Sequence, residues 1–202
     1  MKLDRNYWNE RYRKGETGWD IGTPSPALMD YALHLPDKTA RILIPGCGNA
    51  YEGDALRRDG FPHVFLLDIS PLAMENVRKN FPDFPVTHLI EEDFFLHEGV
   101  YDVILEQTFF CALDPSLRHR YAAKMASLLT TRGRLAGLLF ASPFAVEGPP
   151  FGGSSEEYMK VLSPYFDVTH MAISDKSIAP RMGNELFFEA IKKDNPTPGK
   201  IA

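Results

Sequence analysis

Short apolar segments alternate along this chain with longer segments that carry helix start signals. Several of the apolar segments are bounded by glycine, proline or an acidic residue, which is typical of strands buried on both faces of a parallel sheet. Strands that alternate with helices of this length predict βαβ units, because a parallel strand pair needs a crossover connection. We therefore predict an α/β fold, a doubly wound sheet of about seven strands with helices on both faces.

Apolar runs and capping residues define the predicted boundaries. The predicted strands are residues 40–46, 63–68, 86–93, 101–107, 133–142, 166–173 and 185–191, and the predicted helices are residues 26–35, 50–59, 71–79, 115–129 and 155–162. Ser70 followed by Pro71 is a strong helix start, and Asp114 followed by Pro115 repeats it. The last two strands have no helix between them, so we expect an antiparallel hairpin at the edge of a mostly parallel sheet.

Length and composition indicate one domain. The chain has 202 residues, of which 44% are hydrophobic and 24% charged, so it can bury a substantial core but has no room for a second catalytic domain. We assign residues 1–191 to this single domain, with a polar and aromatic N-terminal segment over residues 1–25. Residues 192–202 have the composition of disorder, and we expect a flexible tail there.

Charge and hydropathy argue against nucleic acid and membrane as partners. The formal net charge is −5, and the basic residues form no block longer than Arg57-Arg58 or Lys192-Lys193. The longest apolar run, residues 135–141, is too short to span a bilayer, and residues 1–15 lack the apolar core of a signal peptide. We expect a cytoplasmic protein with a small-molecule substrate, and, without an evident apolar surface face, a monomer.

The cysteines and histidines follow no known metal or disulfide pattern. Cys47 and Cys111 are too few and too far apart for a disulfide scaffold or a CxxC site. The six histidines show neither HExxH nor HxH spacing. We therefore expect no metal.

Candidate ligand-binding residues follow the first three predicted strands, where open α/β sheets bind ligands. Gly46 and Gly48 follow the first strand and let the backbone approach a ligand closely, because a Cβ at either position would intrude. Asp68 ends the second strand, about 20 residues later, where a carboxylate receives the hydroxyls of a ribose. After the third strand, Asp93 offers an acceptor for an adenine amino group, and Phe94 offers a surface for its ring.

Each of these features alone also has a simpler explanation. The glycines suit a tight strand-to-helix turn without a ligand, and Asp68 flanks a helix start. The acidic residues 91–93 suit a solvated loop. Their occurrence at the ends of three successive strands favours a nucleoside as the ligand.

The glycine turn is poorly suited to a pyrophosphate. In the NAD-binding GxGxxG motif the third glycine begins the helix, but this chain has Tyr51 there and its next glycine is Gly53. Glu52 and Asp54 add negative charge where a phosphate gains from helix amides and nearby positive charge. S-adenosylmethionine fits better, because it has adenine, ribose and a positive sulfonium but no phosphate.

Several longer motifs carry a family resemblance. They are YWNERYRKGETGWDIGTPSPAL, ILIPGCGNAYEG, LLDIS, EEDFF and LEQTFFCALDP, in this order. Over residues 7–188 the chain closely resembles the thiopurine methyltransferase superfamily, and within it the halide and thiol methyltransferase branch. The resemblance implies a class I methyltransferase fold, which is Rossmann-like, and S-adenosylmethionine as the cofactor, with S-adenosylhomocysteine as the product. In that family a proline replaces the usual acid of the glycine loop, as Pro45 does here.

The resemblance also implies a set of cofactor contacts. They are Trp8, Tyr12, Trp19, Gly46, Gly48, Asp68, Ile69, Asp93, Phe94 and Gln107. The three N-terminal aromatic residues are implied to form a lid over the methionine part, where an aromatic face attracts a desolvated sulfonium by roughly 1–2 kcal/mol. Aromatic side chains that only pin the N-terminus to the core are the alternative. Tyr12 and Gln107 depart from the plant members, which carry Trp and Tyr there, so the plant enzymes' substrate preferences do not transfer directly.

The expected reaction constrains the acceptor pocket. Methyl transfer to an anionic nucleophile is an in-line displacement in which charge disappears, so a dry apolar pocket favours it. Phe109, Phe110, Phe144 and Phe151 are candidates for the substrate-binding wall, although each alone also suits the core. A halide, or a thiol with a pKa of about 8.5, needs no strong general base. Arg181 is the candidate catalytic residue, attracting an anionic substrate or lowering a thiol's pKa, and a surface arginine is the alternative.

Together these observations predict an S-adenosylmethionine-dependent methyltransferase for a small soft nucleophile, such as a thiol, bisulfide or a halide. An enzyme for the amines of nucleic-acid bases would carry an Asp/Asn-Pro-Pro-aromatic element after the fourth strand, where this chain has Glu106-Gln107-Thr108. A nucleoside-binding module that has lost the chemistry and a methyltransferase for another small molecule are the alternatives. The identity of the acceptor stays open.

Overall fold

The computed structural model describes residues 2–144 and 148–196, and a seven-stranded sheet forms its centre. The strands are β1 (Ile42–Pro45), β2 (Val64–Asp68), β3 (Leu89–Glu91), β4 (Tyr101–Gln107), β5 (Leu129–Phe140), β6 (Phe166–Ile173) and β7 (Glu185–Lys192). Their order across the sheet is β3-β2-β1-β4-β5-β7-β6. β1 to β5 pair in parallel, whereas β7 lies antiparallel between β5 and β6. The predicted doubly wound α/β sheet with an antiparallel edge hairpin is confirmed.

Helices connect these strands. They are α1 (Arg5–Arg13), α2 (Pro26–Leu33), α3 (Tyr51–Arg58), α4 (Pro71–Asn80), α5 (Phe109–Ala112), α6 (Arg118–Leu128) and α7 (Ser155–Leu162). The sequence did not predict α1 or α5. α1 begins at the side chain of Asp4, which accepts hydrogen bonds from the amides of Asn6 and Tyr7. It buries no residue, so its sequence lacks the apolar periodicity that reveals a helix.

Several predicted boundaries were wrong. The third strand is Leu89–Glu91 rather than residues 86–93, because Val86–His88 forms a 3-10 turn. Asp114 caps a 3-10 turn, and α6 starts only at Arg118. β5 follows α6 without a loop and begins at Leu129 rather than at residue 133.

The first residues of the predicted tail, from Lys192, belong to the fold. Lys192 is the last residue of β7, and the amide of Lys193 donates to the carbonyl oxygen of Tyr165 at 3.0 Å. Residues 197–202, which fall in the predicted flexible tail, lie outside the described residues.

The core lies on both faces of the sheet because successive side chains of a strand point to opposite faces. In β1, Leu43 packs into one cluster with Ile104 and Tyr121, whereas Ile42 and Ile44 pack into the other. β1 is buried at all its positions, as expected for a central strand of a parallel sheet.

Pro45 ends the pairing of β1 with β4. β1 aligns with β2 from Ile42 to Pro45, but with β4 only as far as Leu43. The amide of Ile42 donates to His63 on the side of β2, and because amides alternate sides along a strand, the nitrogen of Pro45 faces β4. Proline has no N–H to donate. β1 and β4 therefore separate at their carboxyl ends, and a small cavity of about 60 Å³ lies there beside Pro45 and Gln107.

Replacing the central Leu43 with alanine tests the place of β1 in the core. Leu43→Ala is expected to lower the free energy of unfolding by roughly 2–5 kcal/mol, because the buried side chain leaves a cavity. Val86→Ala, at a side chain that is 72% exposed, is the control and should change it by less than about 0.5 kcal/mol. Urea unfolding measures both, and equal losses would contradict the central position of β1.

Candidate active site

A cavity of about 550 Å³ opens at the carboxyl ends of the parallel strands. It brings together Trp8, Tyr12, Trp19, Gly46, Gly48, Asp68, Ile69, Asp93, Phe94, Gln107, Phe109, Phe144 and Arg181. Among the sequence-predicted site residues, Phe110 and Phe151 are not among the described residues that line it. Residues far apart in the sequence therefore meet around one space, as expected where the strand order reverses.

The glycine loop needs glycine for two separate reasons. Gly46 and Gly48 have φ angles of +60° and +54°, which favour glycine. A Cβ on Gly46 would lie 2.3 Å from the ring of Phe109, and a Cβ on Gly48 would lie 3.3 Å from the hydroxyl of Tyr12. Side chains of the cavity wall thus fill the space beside these glycines, where the sequence predicts the ligand.

Asp68 is a buried carboxylate on the wall of the cavity. Its Oδ2 accepts a hydrogen bond from the amide of Gly48 at 3.0 Å, and its Oδ1 accepts one from the amide of Ser70 at 2.8 Å. Burial raises the pKa of Asp68, and these amide hydrogen bonds oppose the rise. An ionised carboxylate offers about four acceptor positions, so Asp68 keeps capacity to accept hydrogen bonds from hydroxyl groups in the cavity.

Asp93 and Phe94 border the cavity after β3. Asp93 Oδ1 accepts a hydrogen bond from the amide of Phe95 at 2.8 Å, which fixes the turn. Phe94 is only 3% exposed, and its ring packs edge-on against Phe109 at 5.0 Å between centroids. Phe94 is therefore part of the core as well as part of the cavity wall.

The N-terminal aromatic residues form a cluster over the cavity. The rings of Trp8 and Tyr12 each pack edge-on against Trp19, with centroids 5.5 Å and 5.6 Å away. Arg11, which sequence reasoning missed, also lines the cavity and lies 5.5 Å from the centre of the Trp19 ring. Its Nε donates to the carbonyl oxygen of Glu16 at 2.9 Å, so it holds the turn that follows α1.

Arg181 is a partly buried arginine with specific partners. Its Nη1 lies 3.2 Å from Oε1 of Glu185, and its Nη2 donates to the carbonyl oxygen of Trp19 at 2.9 Å. The Arg181 side chain is 11% exposed and that of Glu185 is 2% exposed, so the ion pair is shielded from water. Its positive charge is balanced, and it ties the N-terminal segment to the connection between β6 and β7.

Apolar side chains cover the end of the cavity away from Asp68. This end is lined by Phe140, Phe144, Pro149, Pro150 and Pro180, together with Asn184. The proline pair is positioned by Arg118, whose Nη2 donates to the carbonyl oxygens of Phe151 and Gly152 at 3.3 Å and 3.0 Å. No motif in the sequence indicates this support, because Arg118 has the features of an ordinary helix residue.

Two of the four candidate wall phenylalanines do not line the cavity. Phe110 is 1% exposed and packs edge-on against Tyr121 and Tyr158 behind the wall. The described contacts of Phe151 are made by its backbone, and its amide donates to the carbonyl oxygen of Cys111 at 2.6 Å. Phe109 and Phe144 are the two that border the cavity.

Glu106 lies behind the wall, near the end of β4. Its Oε2 accepts a hydrogen bond from the amide of Phe110 at 3.0 Å, and its Oε1 has no hydrogen-bond partner among the described residues. Burial raises the pKa of Glu106 to about 8, so the carboxyl group holds a proton at neutral pH. Because Glu106 is not part of the cavity lining, it is not placed to take a proton from a bound acceptor.

Within residues 2–144 and 148–196, no group of three or more His, Cys, Asp or Glu residues is arranged to hold a metal ion. None of the helices in that part of the chain combines the length and apolar character needed to cross a membrane.

A family model described as thiopurine S-methyltransferase matches residues 3–192. The chain belongs to the thiopurine S-methyltransferase family. A probable thiol methyltransferase 2 from Arabidopsis thaliana is 35% identical over 184 residues, which cover 88% of this chain and 81% of the relative. Thiocyanate methyltransferase 1 from Brassica oleracea is 30% identical over 195 residues, which cover 91% of this chain and 83% of the relative.

Solved structures show the same fold at low sequence identity. The Burkholderia thailandensis 1,6-didemethyltoxoflavin N1-methyltransferase, with S-adenosylhomocysteine bound, has a TM-score of 0.71 and 18% identity over 94% of this chain and 87% of that one. A TehB-like methyltransferase from Corynebacterium glutamicum has a TM-score of 0.65 and 20% identity over 94% of this chain and 98% of that one. As a family member with this fold, the chain is an S-adenosylmethionine-dependent S-methyltransferase.

The cavity fits this cofactor. Asp68 supplies a buried carboxylate with spare acceptor positions, and the cavity volume of about 550 Å³ is that of a typical small-molecule site. Trp8, Tyr12 and Trp19 supply aromatic surface suited to a sulfonium.

Glu106→Gln is expected to change how stability depends on pH. The pKa of Glu106 is about 8 in the folded state against an ordinary value of 4.5, so the folded state binds the proton more tightly. Wild-type stability therefore falls as pH rises from about 4.5 to about 8, by at most about 1.4 kcal/mol per pH unit from this group.

Glutamine mimics the protonated carboxyl group and does not titrate. Urea unfolding should give similar stabilities for wild type and Glu106→Gln at about pH 5, and a more stable variant at about pH 8.5. Glu98→Gln, at an exposed glutamate, is the control and should keep the wild-type pH dependence. The same dependence in Glu106→Gln would show that Glu106 is not protonated in the fold.

Proposed function

We propose that the chain methylates the sulfur of small thiols and of bisulfide, and that it also accepts halides, in a cavity from which water is excluded. The observation that carries this proposal is the apolar end of the cavity, lined by Phe140, Phe144 and the proline pair 149–150. An apolar end suits a small soft anion that loses its water on entry. The names of the plant relatives, a thiol and a thiocyanate methyltransferase, support the same acceptor class.

The proposed cofactor placement follows the polar groups of the cavity. Asp68 accepts from the ribose hydroxyls, Asp93 from the adenine amino group, and Ile69 and Phe94 pack on the adenosine. The glycine loop at Gly46 and Gly48, together with Gln107, borders the methionine part, which the aromatic N-terminal segment covers. When bound, S-adenosylmethionine supplies the electrophilic methyl group on its sulfonium.

The protein's own contribution to this reaction is positioning and desolvation. An anionic nucleophile and a cationic sulfonium become neutral products, so loss of water around the nucleophile lowers the barrier. Phe109 and Phe144 line the space in which the acceptor would lie. A thiol with a pKa of about 8.5 is already partly ionised near neutral pH, so no general base is required.

Arg181 acts in this proposal through the lid. Because Glu185 balances its charge, the guanidinium has less attraction for an anionic acceptor than the sequence suggested. Its hydrogen bond to the carbonyl oxygen of Trp19 holds the aromatic cluster over the cavity. Closure by this contact would keep water from the reacting sulfur.

The proposal extends to a monomeric, cytoplasmic enzyme that binds neither nucleic acid nor membranes. The net charge of −5, without a long basic block, supports the absence of a nucleic-acid partner. The Phe151 side chain has no contact with the acceptor in this proposal. Its carbonyl oxygen accepts a hydrogen bond from Arg118, which supports the apolar end of the cavity.

An acceptor panel tests the proposed function directly. The protein is incubated with methyl-labelled S-adenosylmethionine and with alkyl thiols, aryl thiols, bisulfide, thiocyanate, iodide and a thiopurine, and methyl products are read by gas or liquid chromatography. We expect thioether products from small apolar thiols and methanethiol from bisulfide. Calorimetric binding of S-adenosylhomocysteine without any methyl product would contradict the proposal and favour a binding module.

Arg181→Lys separates charge from hydrogen-bond geometry. Lysine keeps the charge opposite Glu185, but a single ammonium does not reproduce the planar fork that reaches both Glu185 and Trp19. We expect kcat/KM for a good thiol acceptor to fall on the order of tenfold, about 1.4 kcal/mol, with the fold retained. Lys176→Arg, at an exposed pair with Asp30, is the control. An unchanged kcat/KM in Arg181→Lys would remove this residue from the mechanism.

A further inference from the structure

The lid helix α1 has little hydrophobic core to hold it in place. It buries no residue, and a nine-residue helix is only marginally stable by itself. Its ion pair with the sheet, Arg5 with Glu91, spans 4.0 Å between side chains that are 50% and 32% exposed, so it contributes little. The position of α1 therefore depends on its other contacts with the rest of the fold.

Asn9 makes a polar contact between α1 and the first turn of α4. Its Oδ1 accepts a hydrogen bond from the hydroxyl of Ser70 at 2.6 Å, and a longer one from the amide of Leu72 at 3.5 Å. Ser70 is the N-cap of α4, and its Oγ accepts from the amide of Ala73 at 3.2 Å. The first amides of a helix lack intrahelical partners, and Pro71 has none to satisfy. Asn9 thus accepts from the amide of Leu72, for which the N-cap Ser70 provides no acceptor.

The same serine joins Asn9 to the buried carboxylate of the cavity. The amide of Ser70 donates to Asp68 Oδ1 at 2.8 Å, and Ser70 is fully buried. A chain of hydrogen bonds therefore runs from Asp68 through Ser70 to the lid helix. Trp8, the neighbour of Asn9, lines the cavity, whereas Asn9 does not. Trp8 is therefore carried by the helix that Asn9 joins to α4.

We propose that Asn9 is a positioning residue: its side-chain oxygen docks α1 on the N-terminus of α4 and so strengthens cofactor binding through Trp8. The inference rests on the proposed cofactor placement and goes beyond it, because Asn9 touches no part of the cavity. The acceptor oxygen carries the effect, and the volume of the side chain does not.

Calorimetric titration with S-adenosylhomocysteine tests this role without relying on turnover. Asn9→Leu keeps the volume but removes the acceptor, and we expect the Kd to rise roughly 3- to 10-fold. Asn9→Asp keeps the acceptor and adds a negative charge at the N-terminus of α4, where it is favourable, so its Kd should stay within about threefold of wild type. Asn6→Leu, at an exposed asparagine of the same helix, is the matched control and should leave the Kd unchanged.

Trypsin cleavage after Arg13 or Lys14 reports directly on the lid. We expect S-adenosylhomocysteine to protect these bonds in wild type, Asn9→Asp and Asn6→Leu, and to protect them less in Asn9→Leu at saturating ligand. If wild type does not bind the ligand, the cofactor placement fails. The role of Asn9 is overturned if wild type binds the ligand and Asn9→Leu matches Asn6→Leu in Kd and in cleavage. It is also overturned if the Kd of Asn9→Asp rises as much as that of Asn9→Leu.

Discussion

The carboxylate of Asp68 connects the segments from which the site is built. One oxygen accepts from the amide of Gly48 in the glycine loop, and the other accepts from the amide of Ser70 at the start of α4. Through Ser70 the connection extends to Asn9 and the lid helix. The loop after β1, the end of β2 and the N-terminal segment therefore take their positions from one buried group. A buried carboxylate with its hydrogen bonds made is rigid, which suits a group that has to present its remaining acceptors to a ligand.

Two largely buried arginines support the opposite end of the cavity, and each is paired with a carboxylate. Arg181 is paired with Glu185, and Arg118, which is 4% exposed, is paired with Glu157 while it binds the backbone of the loop at Phe151. Each guanidinium supplies several directed donors, which a lysine does not. Because both charges are balanced, this end of the cavity stays apolar although two arginines support it. This balance matters for a reaction in which charge disappears, since an unpaired cation would stabilise the anionic nucleophile before it reacts.

Local patterns in the sequence predicted the sheet and the cavity residues at the strand ends, and the family resemblance supplied others such as Trp8 and Gln107. Buried strands are apolar runs, and residues such as Asp68 and Asp93 follow them directly, so the fold of a parallel sheet brings them together. The sequence did not predict the lid helix α1, because a helix without a buried face shows no apolar periodicity. The support given by Arg118 also escaped, since its partner Glu157 lies 39 residues away and neither residue belongs to a motif. The proton on Glu106 depends on complete burial, which no local pattern reports.

The proline of the glycine loop has a physical role in this arrangement. A central strand needs amides on both sides, and Pro45 removes the one that faces β4 while the amide of Cys47 still donates to Leu67 on the side of β2. β1 therefore stays attached to β2, whose last residue is Asp68, while the gap toward β4 opens. Gly46 can then turn under Phe109, and Gln107 at the end of β4 reaches the cavity. An acid at this position would restore the amide and add a negative charge at the end of β1, so the proline both opens the site and keeps this position neutral.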